Sequence, residues 1–256
     1  DIKTICSIIE TEIFVQGALC TSFSGHCYAS SFIGGNSGNR GLCKQPCRKQ
    51  YAYETLDGKF IKDGYVLSLS ELCLKDDLDK FIKAGVTSFK IEGRMRSEEY
   101  VRASVLTYRA ILNGEDETKL FNSLKTAYNR GDYTSGLAFN QPKDFISSKI
   151  QGHKGLAVGE VEKVFKDVFT LKNFIKFNDG DAFKILRNDK EVGNGFVAST
   201  GEKQVLKYKG DIRKGDVVSI TKSVTLNEDL KRQKLKEITV SVTARRNEFL
   251  TLCCEG

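Results

Sequence analysis

The 256-residue chain lacks the motifs of several large classes of enzyme. Histidine occurs only twice, as His26 and His153, so there is no His-Glu-x-x-His helix of a zinc protease and no sign of a Ser/His/Asp triad. The chain also has no Gly-x-x-x-x-Gly-Lys-Ser/Thr phosphate loop and no Gly-x-Gly-x-x-Gly sequence after a strand. These absences argue against the common proteases and the common nucleotide-binding proteins.

Long apolar segments are absent as well. No run approaches the roughly 18 residues that a membrane-spanning helix needs, and Asp1 begins a mixed segment rather than a secretory signal, which predicts a soluble, cytoplasmic protein. The length and the 40% hydrophobic composition predict two domains of ordinary size. The net charge of +7 favours polyanionic partners such as RNA, although charges of both signs are spread through the sequence, as in many proteins that bind no nucleic acid.

Cysteine, in contrast, is plentiful, and five of the eight cysteines fall within one region. Without an export signal, metal or redox chemistry explains them better than disulfides do. Residues 21–50 are rich in glycine and serine and show little periodicity, which predicts a long functional loop. Thiols converging from such a loop favour an iron–sulfur cluster, with zinc second and unligated cysteines as the remaining alternative. The candidates are Cys20, Cys27, Cys43, Cys47 and Cys73, whereas Cys6, Cys253 and Cys254 are expected to be ordinary.

Apolar periodicity in the first half predicts strands that alternate with helices. The predicted strands are 12–19, 65–69 and 86–91. The first predicted helix has its apolar positions between Leu74 and Ile82 and stops at Gly85, the second follows Ser97, and the third spans about 118–128. Ser97 is expected to cap a helix whose apolar face carries Val101, Val105, Tyr108 and Leu112. The order strand, loop, strand, helix, strand, helix indicates an α/β fold with parallel strands, either a doubly wound sheet or part of a (β/α)8 barrel.

The second half has a different composition, with short β-rich runs separated by glycine. We place a boundary near residue 148 and expect the α/β part in 1–147, a small β-barrel domain in 148–235, and the start of a further, truncated β domain in 236–256. Within the β-barrel domain, Gly180-Asp181 and Gly215-Asp216 each form a turn that enters an alternating strand.

Other polar residues have two interpretations each. Glu92 and Arg94 close a predicted strand, where the active sites of α/β barrels lie, so they are candidates to bind an anionic substrate or else form a structural pair. His26 is either a ligand or acid/base group, or neither. A basic run suits either phosphate contacts or a solvated loop. Its members are Arg40, Lys44, Arg48 and Lys49.

Several short motifs occur in a fixed order along the chain. They are Glu12-Ile-Phe-Val-Gln-Gly-Ala-Leu-Cys20, Ser24-Gly-His-Cys27, Gly41-Leu-Cys43, Pro46-Cys47-Arg48, Leu72-Cys73, Phe89-Lys-Ile-Glu-Gly-Arg-Met-Arg-Ser97, Tyr128-Asn-Arg-Gly131, Thr134-Ser-Gly136 and the tail Ile238-Thr-Val-Ser-Val-Thr. In these motifs the chain closely resembles the collagenase-like peptidase family of unassigned catalytic type, family U-thirty-two. The second half and its tail resemble the longer members of that family, which act on ribosomal RNA.

The resemblance implies the C-terminal part of a (β/α)8 TIM-like barrel followed by the small β-barrel. It further implies oxygen-independent hydroxylation of a pyrimidine in ribosomal RNA or tRNA, with prephenate as hydroxyl donor and a 4Fe–4S cluster supplied by the iron–sulfur assembly machinery. Peptidase activity and a non-catalytic iron–sulfur scaffold are the alternatives.

Carried onto this sequence, the implied cluster ligands are Cys20, Cys27, Cys43 and Cys73, with Cys47 as the competitor for the fourth place. Glu92 and Arg94 are then expected to line the substrate pocket. The chain departs from the family at Gln16, where many members have histidine.

Overall fold

The structure is a computed structural model in which the chain divides into two compact units, Asp1–Val224 and Thr225–Gly256. No helix in the described part of the chain is long and apolar enough to cross a bilayer. The described residues are 1–23, 26–139, 144–166, 168–172, 177–200, 203–225, 239–247 and 249–255.

The first unit begins with mixed α/β structure and continues with β structure. Its helices are α1 Ile2–Cys6, α2 Ala29–Gly34, α3 Leu78–Ala84, α4 Glu98–Asn113 and α5 Thr118–Ala127, with 3-10 turns at Gly38–Arg40, Pro46–Arg48 and Lys75–Asp77. Its strands are β1 Glu12–Ala18, β2 Tyr51–Glu54, β3 Phe60–Gly64, β4 Glu71–Cys73, β5 Ser88–Ile91, β6 Tyr133–Thr134, β7 Leu156–Val164, β8 Phe169–Lys172, β9 Ala182–Arg187, β10 Lys190–Thr200, β11 Lys203–Gly210 and β12 Val217–Lys222.

A four-stranded sheet in the order β5-β1-β4-β6 forms the α/β part. Strands β1 and β5 are parallel, as predicted, but β4 runs antiparallel to β1, with Gln16 opposite Cys73. The predicted strand 65–69 is wrong, because the chain turns there with a Ser68 N to Tyr65 O bond and only Leu69 makes a bridge. The mixed α/β class is confirmed.

Side chains from this sheet and its helices form one apolar core. It contains Val15 of β1, Leu72 of β4, Phe81 of α3 and Tyr108 of α4. Because each of these side chains is less than a tenth exposed, the core fixes the helices against one face of the sheet and leaves the strand ends to carry the polar residues.

Local signals set the ends of α4 as predicted. The Ser97 Oγ accepts a hydrogen bond from Tyr100 N at 3.4 Å, and Gly114 follows the helix with a φ of 71°. Of the four residues on the apolar face, only Tyr108 is buried, whereas Val101, Val105 and Leu112 are 36–53% exposed.

The buried face of α4 instead carries Tyr100, Ala103, Ser104 and Thr107. Two hydroxyls lie on this face without penalty because Ser104 Oγ donates to Tyr100 O at 2.8 Å and Thr107 Oγ1 donates to Ala103 O at 2.7 Å. The side of α4 that packs into the core therefore includes two polar side chains, each bonded to the backbone oxygen four residues earlier.

The β part is a six-stranded antiparallel sheet in the order β11-β10-β9-β12-β7-β8. The sheet curls until a bridge between Val168 and Lys207 joins its two edges. Phe183, Ile185 and Val218 fill its interior and are at most 1% exposed. This arrangement is a curled, half-barrel sheet, which we call the β-barrel below. That it is the small β-barrel domain expected in 148–235 stays a prediction.

Both Gly-Asp turns enter strands as predicted. The Asp216 carboxylate accepts from Arg213 N at 2.7 Å before β12, and the Asp181 carboxylate accepts from Asn178 N at 2.8 Å before β9. The two strands are neighbours in the sheet. Each carboxylate therefore closes the turn that starts its strand.

The second unit, described by itself, contains one hairpin. Strand β13 spans Thr239–Thr243 and pairs with β14, Thr251–Glu255, so that Val240 lies opposite Cys254. Residues 226–238, where the predicted boundary at 236 falls, lie outside the described residues. The boundary near residue 148 stays a prediction, because the compact unit Asp1–Val224 contains both sheets.

Candidate functional site

The carboxyl ends of the parallel strands β1 and β5 meet at one edge of the first sheet. Gly17 has a φ of 137°, and a Cβ built there would lie 2.6 Å from Glu92 Cβ, so this position requires glycine. Glu92 N donates to Gln16 O at 2.8 Å, which fixes the end of β5 beside β1.

Glu92 and Arg94 lie at this edge, as the strand-end rule predicted. The Glu92 Oε1 accepts a hydrogen bond from Arg94 N at 3.0 Å. The exposed Arg94 guanidinium lies beside Gly41 in the loop, since a Cβ built on Gly41 would be 3.4 Å from Arg94 NH1. The structure brings the two residues to the same edge as the loop, and their role as substrate-binding residues stays a prediction.

Four of the five clustered cysteines lie on or beside the loop of residues 21–50, which we call the cysteine loop. Cys20 follows β1 directly and is exposed, as is Cys43, whereas Cys27 and Cys47 are half-buried. The Cys43 Sγ accepts from Gln45 N at 3.3 Å and from Ser30 Oγ at 3.7 Å. These bonds orient one thiol within the loop.

Cys20, Cys43 and Cys47 share one electrostatic environment. Burial raises the pKa of the Cys47 thiol, Cys20 and Cys43 raise it further, and the cations Arg48 and Arg130 oppose the rise. In the described part of the chain, no three His, Cys, Asp or Glu side chains are arranged to hold a metal ion. The thiols nevertheless have the donor chemistry that an iron–sulfur cluster requires.

Cys73 occupies a different environment, within the sheet. Its Sγ lies 3.7 Å from the Tyr108 hydroxyl, and burial raises the pKa of this thiol. Cys47 is the predicted competitor of Cys73 for the fourth ligand position, and its pKa is raised by Cys20 and Cys43. Which of the two completes the predicted ligand set stays open.

A buried chain of hydrogen bonds runs from Cys73 into the core. The Tyr108 hydroxyl lies 2.7 Å from Val15 O and 3.2 Å from Gln16 Oε1, and the Gln16 Nε2 donates to the Tyr100 hydroxyl at 3.0 Å. Burial raises the pKa of both tyrosines, that of Tyr108 the more strongly. Sequence reasoning missed this pair, although residues eight apart lie on one face of a helix.

Sequence reasoning also missed a buried ion cluster. Glu71 is completely buried, and its Oε1 lies 2.6 Å from Arg96 NH2 and 3.1 Å from Arg130 NH1. Both arginines occur in the motifs that carry the family resemblance, which could have drawn attention to them. Arg96 lies two residues after Arg94, and Arg130 lies in the sequence that follows α5.

Arg48 attaches the cysteine loop to the rest of the unit. It is 8% exposed, and it donates to Leu19 O and Leu69 O at 2.7 Å each and to Ser68 Oγ at 3.1 Å. This residue of the basic run therefore has a structural role. The other members of the run, Arg40, Lys44 and Lys49, are exposed, as is His26.

A cleft of about 750 Å³ lies between the α/β part and the β-barrel. Lys149, Lys184 and Lys190 contribute to its walls. Lys149 lies 3.3 Å from Asp189, and Lys184 lies 2.8 Å from Glu191, so two of these cations are partly neutralised. The volume of the cleft lies within the range of about 300–1,000 Å³ typical of small-molecule sites, and its walls carry a small excess of positive charge.

The fold and the site together define a class of protein: an α/β unit with a thiol-rich loop at its strand ends, joined to a small β-barrel. The family model described as Peptidase family U32 matches residues 1–147, which is more than half of the chain. The chain belongs to this family.

The chain is 32% identical over 260 residues to the 23S rRNA 5-hydroxycytidine C2501 synthase of Escherichia coli, covering 92% of this chain and 38% of that protein. It is 37% identical over 112 residues to tRNA hydroxylation protein P1 of Bacillus subtilis, covering 41% and 26% of the two chains. It is 36% identical over 134 residues to a collagenase of Porphyromonas gingivalis, covering 48% and 32%.

The chain thus spans well under half the length of these three relatives. Their names are those of enzymes and RNA hydroxylation proteins, which is consistent with an enzyme. No solved structure gives a significant match.

Proposed function

We propose that this chain is part of an enzyme that hydroxylates a pyrimidine in ribosomal RNA or tRNA. The extent of the match to the rRNA synthase supports this proposal, since it covers 92% of the chain and therefore includes the β-barrel as well as the α/β unit. The match to the collagenase covers 48% of the chain, but a relative named as an uncharacterized protease of Methanocaldococcus jannaschii covers 84%, so peptidase activity is the second candidate function.

The proposed cofactor is a 4Fe–4S cluster, with Cys20, Cys27, Cys43 and either Cys73 or Cys47 as ligands. The shared environment of Cys20, Cys43 and Cys47 supports this assignment, and so do the neighbouring cations Arg48 and Arg130, which favour thiolates and an anionic cluster. When bound, such a cluster supplies one-electron chemistry.

The residues at the carboxyl ends of the strands are proposed to bind the substrate beside the cluster. Glu92 and Arg94 line the substrate pocket, at the open end of what we propose to be the last part of a (β/α)8 barrel. Prephenate is the proposed hydroxyl donor. The β-barrel contributes the cleft with Lys149, Lys184 and Lys190, whose ammonium groups suit contacts with RNA phosphates.

Anaerobic purification tests the cofactor. We expect an absorption band at about 400 nm and about four irons per chain. The Cys20→Ala variant should lose both the band and the iron. Cys6→Ala is the matched control, because Cys6 packs under Gly85, away from the loop. Iron content of Cys47→Ser and Cys73→Ser then identifies the fourth ligand. A colourless protein with stoichiometric zinc would refute the cluster.

Mass spectrometry of ribosomal RNA and tRNA from a deletion strain tests the reaction. We expect one hydroxypyrimidine to disappear and to return when the wild-type gene is restored. Unchanged RNA, together with a proteolytic activity that Glu92→Gln abolishes, would replace the proposed function with that of a peptidase. An iron–sulfur protein with neither activity would be a scaffold.

A further inference from the structure

Four charged side chains form what we call the buried arginine cluster: Glu71, Arg48, Arg96 and Arg130. Glu71 is fully buried, and the side chains of Arg130 and Arg96 are only 4% and 9% exposed. Two guanidinium groups thus contact one carboxylate, and the buried Arg48 is near enough to interact with it electrostatically. Buried charges are normally paired, so the cluster has an excess of positive charge for which the described residues supply no second carboxylate.

Several polar atoms of this cluster also lack partners in the described part of the chain. They are Arg96 Nε, Arg130 Nε and Glu71 Oε2. Arg130 NH1 lies 3.1 Å from Glu71 Oε1 as an ion pair but without the geometry of a hydrogen bond. Since nearly all buried polar atoms in proteins have a hydrogen-bonding partner, two free donors and one free acceptor at one place indicate a ligand.

Aromatic rings hold the two guanidinium groups in position. Arg96 Cζ lies 3.8 Å from the centre of the Tyr128 ring, and Arg130 NH2 donates to the Tyr128 hydroxyl at 2.8 Å. These contacts fix the arginines but supply no negative charge. The Nε–H groups are therefore preorganised donors whose partner is missing.

The cluster lies at the edge of the sheet that carries the cysteine loop. Glu71 starts β4 and pairs with Ala18, the last residue of β1. Arg130 and Arg48 are close enough to Cys47 to influence its thiol. A ligand held by the cluster would thus lie beside the thiols of the candidate site.

We propose that Arg96, Arg130 and Glu71 bind a small hydroxy acid. The two Nε–H groups donate to its carboxylate, and Glu71 Oε2 accepts a hydrogen bond from its hydroxyl. Inorganic phosphate carries the same charge and similar acceptor oxygens, so it is the competitor that tests whether the site selects a hydroxy acid. The site rests on the proposed function only for the identity of the acid. Prephenate, the proposed hydroxyl donor, carries two carboxylates and one hydroxyl.

Isothermal titration of the purified, cluster-loaded protein with prephenate tests the site. We expect saturable binding that inorganic phosphate at equal concentration does not displace. Arg96→Lys and Arg130→Lys keep the charge but lose the Nε–H fork, and we expect each to weaken binding at least about tenfold. Arg187→Lys is the matched control, because Arg187 forms a similar two-bond pair with Asp216 in the β-barrel, and its affinity should stay that of the wild type.

Absence of saturable prephenate binding by the wild-type protein would refute the site. So would Arg96→Lys and Arg130→Lys variants that melt earlier but bind prephenate as the wild type does, since a purely structural cluster behaves in that way. Displacement by phosphate with equal affinity would show a general anion site and would also refute the role of Glu71.

The proposed function and the hydroxy-acid site fail separately. If a deletion strain loses a hydroxypyrimidine while the KM for prephenate is unchanged in both lysine variants, the site is refuted and the proposed function stands. If prephenate binds through Arg96 and Arg130 while all RNA hydroxypyrimidines persist in the deletion strain, the proposed function is refuted and the site stands.

Discussion

Replacing Glu71 with glutamine removes the one carboxylate of the buried arginine cluster while keeping the size of the side chain. Glu71 is completely buried, and its Oε1 lies 2.6 Å from Arg96 and 3.1 Å from Arg130. After the substitution, the guanidinium groups of these two arginines and of Arg48 stay buried without a counter-charge. The loss is therefore larger than that of one hydrogen bond.

The expected magnitude follows from burial. Breaking a buried ion pair by removing one partner costs about 3–5 kcal/mol, because the remaining charge stays desolvated. Total stabilities of domains are about 5–15 kcal/mol, so Glu71→Gln should remove a large share. The pair between Asp211 and Arg213 has a comparable distance of 2.9 Å, but both side chains are at least 69% exposed, and Asp211→Asn should cost about 1 kcal/mol or less.

Urea unfolding of the wild-type, Glu71→Gln and Asp211→Asn proteins at pH 7 measures both differences. We expect the midpoint to fall steeply for Glu71→Gln and to stay near that of the wild type for Asp211→Asn, with equal slopes. A Glu71→Gln protein within about 1 kcal/mol of the wild type would show that the cluster is not desolvated as the structure indicates.

Three further substitutions test local features. Gly17→Ala forces a side chain into a φ of 137° and against Glu92, and should cost about 2–4 kcal/mol in urea unfolding. Ser97→Ala removes the cap of α4, whose bond to Tyr100 N is long at 3.4 Å, and should cost about 1 kcal/mol by the same assay. Burial lowers the pKa of His153 below 6.5, so the folded state binds its proton more weakly than the unfolded state does. Stability should fall as pH drops below about 6.5, by up to about 1.4 kcal/mol per unit, and His153→Gln should lack this slope.

Features set by neighbouring residues in the chain were predictable from the sequence. Ser97 and Gly114 delimit α4, and the two Gly-Asp turns start β9 and β12, because caps and turns depend on backbone conformation over three or four residues. The strand-end rule also placed Glu92 and Arg94 beside the cysteine loop.

Features that depend on distant partners were not predictable. The apolar alternation of residues 65–69 resembles a strand, yet Tyr65 N bonds to Ser148 O and the chain turns instead. The direction of β4 depends on its pairing with β1, which no local pattern specifies. The buried arginine cluster was missed for the same reason, since charged residues are expected at the surface until a partner from another element is known.

Gln16 shows what the candidate site requires at the position where the family resemblance led us to expect histidine. Gln16 is fully buried and uses its amide as one donor, to Tyr100, and one acceptor, near Tyr108. A neutral imidazole offers the same pair of groups, whereas an imidazolium would be desolvated and would lose the acceptor. Glutamine cannot transfer protons between pH 5 and 8, so the role that this chain keeps at the position is the orientation of two tyrosines. Any proton transfer beside the cysteine loop must therefore come from other groups at the strand ends, among which Glu92 is a half-buried carboxylate.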